Sequence, residues 1–434
     1  MFSAIARVFR TPDLRRKIAF TLAIIAIYRL GAHVPAPFVD FPNVQECLRE
    51  SAGTEGLLSL VNLFSGGALL QLSIFALGVM PYITATIIVQ LLRVVIPHFE
   101  TLYKEGQSGQ AKLTQYTRYL TIALAILQST GIVALADRGQ LFGNCTQPVI
   151  PGSSIFTLSI IVVTMTAGTA VIMWLGEQVT ERGIGNGMSL LIFSSIAARI
   201  LAEGRNILSN SGGLVFAGVC VFGLAIIASV VFVEQGQRRI PVQYAKRMVG
   251  RRMYGGTSTY LPLKVNQAGV IPVIFGSSLL YLPDLISRLA GSEGGTFQRF
   301  VQTYLVDQSN WLHIILYIAL IVFFTYFYVG ITFNPDERAD EMKKFGGFIP
   351  GIRPGRPTAE YLNFVLSRIT LPGSLYLGII AVLPNFFLGI TGSGRNQNFP
   401  FGGTAVLIMV GVGLDTVKQI ESQLMQRNYE GFLR

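Results

Sequence analysis

Gly78-Val79-Met80-Pro81-Tyr82-Ile83 and Gly269-Val270-Ile271-Pro272-Val273-Ile274 share one pattern, Gly-Val-apolar-Pro-x-Ile, and each sits in a long apolar stretch. A second pair, Gly187-Met188-Ser189-Leu190-Leu191-Ile192 and Gly403-Thr404-Ala405-Val406-Leu407-Ile408, is similarly matched. Ten apolar stretches approach the roughly 20 residues needed to cross a bilayer core: 18–37, 73–92, 118–136, 155–175, 184–202, 214–233, 266–283, 311–332, 369–390 and 401–417. The first motif pair falls on stretches two and seven, the second on five and ten. A duplication of five spans gives that offset, and because five is odd the halves run in opposite directions, an inverted repeat. The expected fold is an all-α polytopic membrane protein of ten transmembrane helices in two inverted five-helix halves, 1–202 and 203–434.

Composition agrees with this. Of 434 residues, 51% are apolar and 13% charged, about half the roughly 25% charge of soluble domains. So little charge cannot cover a soluble surface, and so much apolar surface excludes disorder. The first apolar run, preceded by Arg7, Arg10, Arg15, Arg16 and Lys17, is too long for a signal-peptide core and is read as an uncleaved span.

The net charge of +11 needs placing. With a cytoplasmic N-terminus, 26 basic residues lie inside and 8 outside, giving +12 on the inner face and −1 on the outer. Basic loops are retained in the cytoplasm. A multi-pass membrane protein with both termini cytoplasmic is therefore expected.

Pro81 and Pro272 each lack a backbone donor, so kinks near mid-membrane are expected in spans two and seven. Between spans one and two, Leu57 to Leu72 is apolar but broken at Ser65-Gly66-Gly67. Irregular backbone inside a membrane survives only when buried in protein or lining a wet cavity, so this segment reads as a short re-entrant helix lodged in the bundle. The alternative is a helix lying flat at the interface.

Intramembrane ionisable groups mark ion paths and proton relays. Here Arg29, His33, Arg199, His313 and Asp415 all fall toward span ends, where snorkelling to water suffices. No P-loop, H-E-x-x-H or buried Ser-His pairing is present. No catalytic residue, metal site or cofactor is expected. Cys47, Cys145 and Cys220 show neither ligand spacing nor a C-x-x-C pair, so no disulfide framework is expected, and pairing of Cys47 with Cys145 stays open. Thr84, Gln128 and Asn266 are uncharged polar groups on spans two, three and seven. They could hold a seam closed through bonds worth about 0.6–2 kcal/mol if they meet.

Two inner loops are too long for turns. Residues 234–264 carry Arg238, Arg239, Arg247, Arg251 and Arg252, and alternating Ile240, Val242 and Tyr244 suggest a short strand. Residues 334–368 become Gly- and Pro-rich through Pro350-Gly351-Ile352-Arg353-Pro354-Gly355. Arginines on such turns suit an acidic or phosphate-bearing partner; retention of basic loops for topology alone is the plainer alternative.

Phe64-Ser65-Gly66-Gly67, the Phe75 to Ile83 stretch, Trp174-Leu175-Gly176-Glu177 through Gly187, Gln237-Arg238-Arg239-Ile240-Pro241-Val242-Gln243-Tyr244-Ala245 and Pro350 to Gly355 resemble the bacterial SecY family, from about residue 12 to the end. That resemblance implies a central pore between the halves, closed by an apolar ring of Val79, Ile83, Met188, Ile192, Ile274 and Ile408 and by a plug at 57–72 containing Asn62, Phe64, Ser65, Gly66 and Gly67. The family usually has isoleucine where Val79 and Met188 stand. A lateral gate would lie between spans two and seven, with Pro81, Pro272, Thr84, Gln128 and Asn266. The loops with Arg238, Arg239, Arg247, Arg251, Arg252 and Arg353 would dock the SecA motor or the ribosome. SecE and SecG would be partner subunits, and signal sequences, unfolded polypeptides and membrane lipid the other contacts. The implied function is a non-enzymatic, protein-conducting channel driven from outside. A secondary transporter with inverted repeats is the second reading and an intramembrane hydrolase the third, the former opposed by empty span centres and the latter by the missing nucleophile-base pair.

Overall fold

The computed structural model describes residues 11–50, 65–139, 141, 147–152, 154–244, 247–249, 252–254, 258–289, 300–306, 310–391 and 403–430. Its helices are α1 (Pro12–Gly31), α2 (Phe41–Glu50), α3 (Met80–Val95), α4 (Pro97–Lys104), α5 (Gln107–Asp137), α6 (Ile155–Arg182), α7 (Gly187–Gln235), α8 (Ile271–Leu289), α9 (Trp311–Thr332), α10 (Pro335–Lys344), α11 (Arg356–Thr391) and α12 (Gly403–Glu430). Each of the ten apolar stretches overlaps a helix. Among the described residues, six helices are long and apolar enough to cross a membrane, and a seventh if α3 and α4, bent by 101°, form one span; Gly187–Ile200 and Ile271–Leu280 are shorter apolar helices.

Burial inverts the soluble pattern. On α6, Ile161, Met165 and Ile172 are buried while Ile155, Phe156 and Val163 are exposed, so apolar groups face both the bundle and its surroundings. Helices apolar on every side are those of a membrane interior. Close packing between them depends on glycine: Gly187 lies against the Gly176 carbonyl and Gly403 against that of Ile380, leaving no room for a Cβ.

One expectation is corrected. Pro81 and Pro272 do not kink the middle of spans two and seven; they stand in the first turns of α3 and α8, where an absent N–H costs no helical bond. The preceding glycines, Gly78 (φ 57°) and Gly269 (φ 63°), supply left-handed turns that β-carbon sterics disfavour for other residues. Pro283 stands inside α8. α7 breaks at Gly212 (φ 83°), where two helices meet, so the fifth and sixth apolar stretches stay separate. Cys47 is disulfide-bonded, while Cys220 is a free thiol; Cys145 lies outside the described residues.

Strands occur only at the two loops among the described residues. β1 (Gln237–Tyr244) pairs antiparallel with β4 (Ser258–Lys264) from Gln237↔Lys264 to Gln243↔Ser258, and its end pairs with β5 (Gly347–Phe348). The expected alternation holds, with Ile240 and Val242 buried. Ile240 and Leu263 pack with Phe333, Ile349 and Leu362, so both loops form one sheet seated on α9 and α11. A hairpin of β2 (Arg247–Val249) and β3 (Arg252–Tyr254) extends beyond it.

Candidate functional site: an apolar constriction

The six ring residues come from both ends of the chain. Val79 and Ile83 are four apart at the start of α3, with the Ile83 N–H donating to the Val79 carbonyl at 3.1 Å; Met188 and Ile192 have the same spacing on α7. Residues i and i+4 share a helix face, so each pair presents two side chains in one direction. Ile274 on α8 and Ile408 on α12 complete the set. All meet in one apolar cluster: Val79, Met188, Ile192, Ile274 and Ile408 are buried in it and Ile83 packs against it. Asn186 caps α7 by accepting from the Met188 and Ser189 N–H groups at 3.1 and 3.3 Å, fixing Met188 at the helix start. The Met188 sulfur lies against Gly176 of α6.

Residues 65–79 run as a chain of turns rather than a regular helix, with Leu69 and Leu72 in a neighbouring apolar cluster and Phe75 and Val79 in this one. Ser65 Oγ accepts from the Leu69 N–H at 3.2 Å, and Leu69 and Leu72 are fully buried. Paired bonds pin the far end, Ala36 N–H to the Leu72 carbonyl and Ile74 N–H to the Val34 carbonyl, both 2.9 Å. Asn62 and Phe64 lie outside the described residues, as does the rest of 57–64.

The hydrogen bonds of Thr84 and Asn266 run to other groups than each other. Thr84 Oγ1 donates to Met80 of its own helix at 3.0 Å. Asn266 is buried, and its Nδ2 donates to Glu234 Oε1 at 2.5 Å and to the Gly269 carbonyl at 3.1 Å. It therefore ties the foot of the β1–β4 hairpin to the start of α8. Gln128 is half-buried on α5. Glu234 was missed in the sequence because it lies at a span end beside many loop charges.

Arg29 was expected to snorkel outward. It is instead half-buried, with Nη1 donating to the Gly66 carbonyl at 3.4 Å. Its neighbour Tyr28 is fully buried, stacks on Phe75 at 5.9 Å and shares a 2.9 Å bond with Ser195.

Arg238 and Arg239 on the sheet and Arg353 on the turn beyond β5 are exposed, and the Arg239 guanidinium lies 4.9 Å from the Tyr260 ring centre. Positive-φ Gly351 and Gly355 flank Arg353, whose carbonyl accepts from Thr358 Oγ1 at 2.9 Å. Arg247 and Arg252 belong to the β2–β3 hairpin; Arg251 lies outside the described residues. Among the described residues no three His, Cys, Asp or Glu side chains are placed to hold a metal ion. What the assembled groups present is a buried aliphatic cluster drawn from four helices and a set of exposed arginines.

The family model described as SecY matches residues 73–417. The chain is 70% identical to the protein translocase subunit SecY of Mycobacterium tuberculosis (strain H37Rv) and 63% identical to that of Streptomyces coelicolor, over the full length of each. Its fold is similar to a solved structure described as a protein conducting channel (TM-score 0.64, 18% identity, covering 94% of this chain and 91% of that one). It is also similar to Sec61 in a canine ribosome-channel complex (TM-score 0.61, 17% identity, covering 94% and 91%). The chain belongs to the SecY family.

Proposed function

We propose that this chain is a protein-conducting channel of the bacterial plasma membrane. Unfolded secretory polypeptides pass across it, and signal sequences and membrane segments leave laterally into lipid. The observation that carries the reading is the convergence of Val79, Ile83, Met188, Ile192, Ile274 and Ile408 in one buried cluster. A passing chain can have any sequence, so the opening needs no residue-specific site. Aliphatic groups exclude water and ions when they meet and deform around a polypeptide when parted; Val79 and Met188 make this ring smaller at one point and softer at another.

In this reading ten spans form two inverted halves, 1–202 and 203–434. Supporting it, each motif pair repeats in local geometry: Gly78 and Gly269 turn left-handed before a proline-bearing helix start, and Gly187 and Gly403 abut a neighbouring carbonyl. Residues 57–72 are the plug. The gate opens between α3 and α8, with Pro81, Pro272, Thr84 and Gln128 along it. Asn266 belongs to the hairpin foot that leads into that gate.

Energy comes from outside, through a SecA-type motor or a ribosome docked on Arg238, Arg239, Arg247, Arg251, Arg252 and Arg353, with SecE- and SecG-type subunits completing the complex and both termini cytoplasmic. A photoreactive residue at Ile274 is expected to crosslink to a secretory chain stalled in transit; absence of that crosslink contradicts the reading.

A further inference from the structure

Arg29 is a cation placed where a membrane protein seldom keeps one without purpose. It stands in the last turn of α1, half-buried, and among the described residues no carboxylate lies within ion-pair distance of it. Its described partner is the Gly66 carbonyl. Gly66 has φ 69°, and a Cβ there would lie 2.6 Å from Arg29 Nη1 and 3.1 Å from Ser195. The turn is thus pressed between α1 and α7. Tyr28, one residue before Arg29, bonds to Ser195, one helical turn beyond the ring residue Ile192. Gly67 follows with φ 95°, so two successive glycines give the turn freedom that no other residue pair would.

We infer that Arg29 is the catch that holds residues 65–72 closed over the constriction, and that a passing polypeptide competes for it through its own backbone carbonyls. At 3.4 Å this charge-assisted contact is long and therefore exchangeable. Once the segment leaves, water or another carbonyl takes Gly66's place, because even a half-buried guanidinium is disfavoured without a partner. Every polypeptide carries such carbonyls at each residue, so this exchange is independent of sequence, as traffic of arbitrary chains requires. The inference rests on the reading of 57–72 as the plug.

The test uses the purified channel complex with its partner subunits in planar bilayers. Arg29→Met keeps length and apolar contact but removes the donors. Its resting ion conductance is expected to rise about tenfold, equivalent to about 1.4 kcal/mol. Adding Gly66→Cys and Ser195→Cys in a Cys220→Ala background, the oxidised pair is expected to restore the seal and reduction to release it. Wild-type conductance from Arg29→Met overturns the catch, as does a leak that persists once the disulfide has formed. Should that variant fail to assemble, Gly66→Ala attacks the same contact from the other side. Raised conductance supports the catch and unchanged conductance overturns it. Either negative result, with crosslinking from Ile274 to a stalled chain intact, removes the catch and leaves the pore standing; loss of the crosslink removes the pore itself.

Discussion

Arg118 grips Glu177 with two bonds, Nε to Oε1 at 2.9 Å and Nη2 to Oε2 at 2.7 Å, while its third nitrogen donates to Gln115 at 3.1 Å. This fork ties the cytoplasmic ends of α5 and α6 in the proposed topology, giving α3 a fixed wall: α3 packs on α5 and more lightly on α6. Arg118→Lys keeps the charge but loses the planar fork. Its complex is expected to be less stable by about 1–2 kcal/mol, seen as a lower midpoint in thermal unfolding. Arg118→Met combined with Glu177→Met should cost less than the two single changes together, because neither charge is left alone.

Gly403 lies so close to the Ile380 carbonyl that a methyl group cannot be added without moving one helix. Gly403→Ala is expected to destabilise the assembled chain by about 1–3 kcal/mol. Gly411, whose nearest neighbour to a Cβ would be Val270 at 3.4 Å, is the control; alanine there should be tolerated, with both read as yield of folded complex.

Changing Ile83, Ile192 and Ile408 together to Ser should wet the constriction and raise resting conductance at least tenfold in planar bilayers. The same three positions changed to Leu should leave it sealed. Unchanged conductance in the Ser variant would place the barrier elsewhere.

Arg353 is exposed on a turn held by Gly351, Gly355 and Thr358. Arg353→Glu is expected to lower motor- or ribosome-driven translocation about tenfold while complex yield stays unchanged. Normal translocation would return the loop to a purely topological role.

Much of this architecture was legible in the chain. Long apolar stretches report their own span because nothing else tolerates them, and the alternation at Ile240 and Val242 marked a strand even inside a loop. The paired motifs were visible but their physics was misread. A proline in an apolar stretch looks like a kink until the helix start is located, and Gly78 and Gly269 were the signal that each helix begins just after them. Arg29 looked like an ordinary snorkelling residue because sequence position gives depth but not direction around the helix. Asn266 seemed a partner for Thr84 and Gln128; its bond to Glu234 depends on the hairpin closing between them, which no local pattern announces.

The central claim is that a polypeptide passes through the ring. It is tested most directly by placing a photoreactive side chain at Ile274, Ile192 or Ile408 in turn and stalling a secretory chain halfway through the working complex. The account predicts crosslinks to the stalled chain from all three positions and none from Leu214, an exposed residue on the outer face of α7. Crosslinks from Leu214 alone, or from none of the three ring positions, would contradict it.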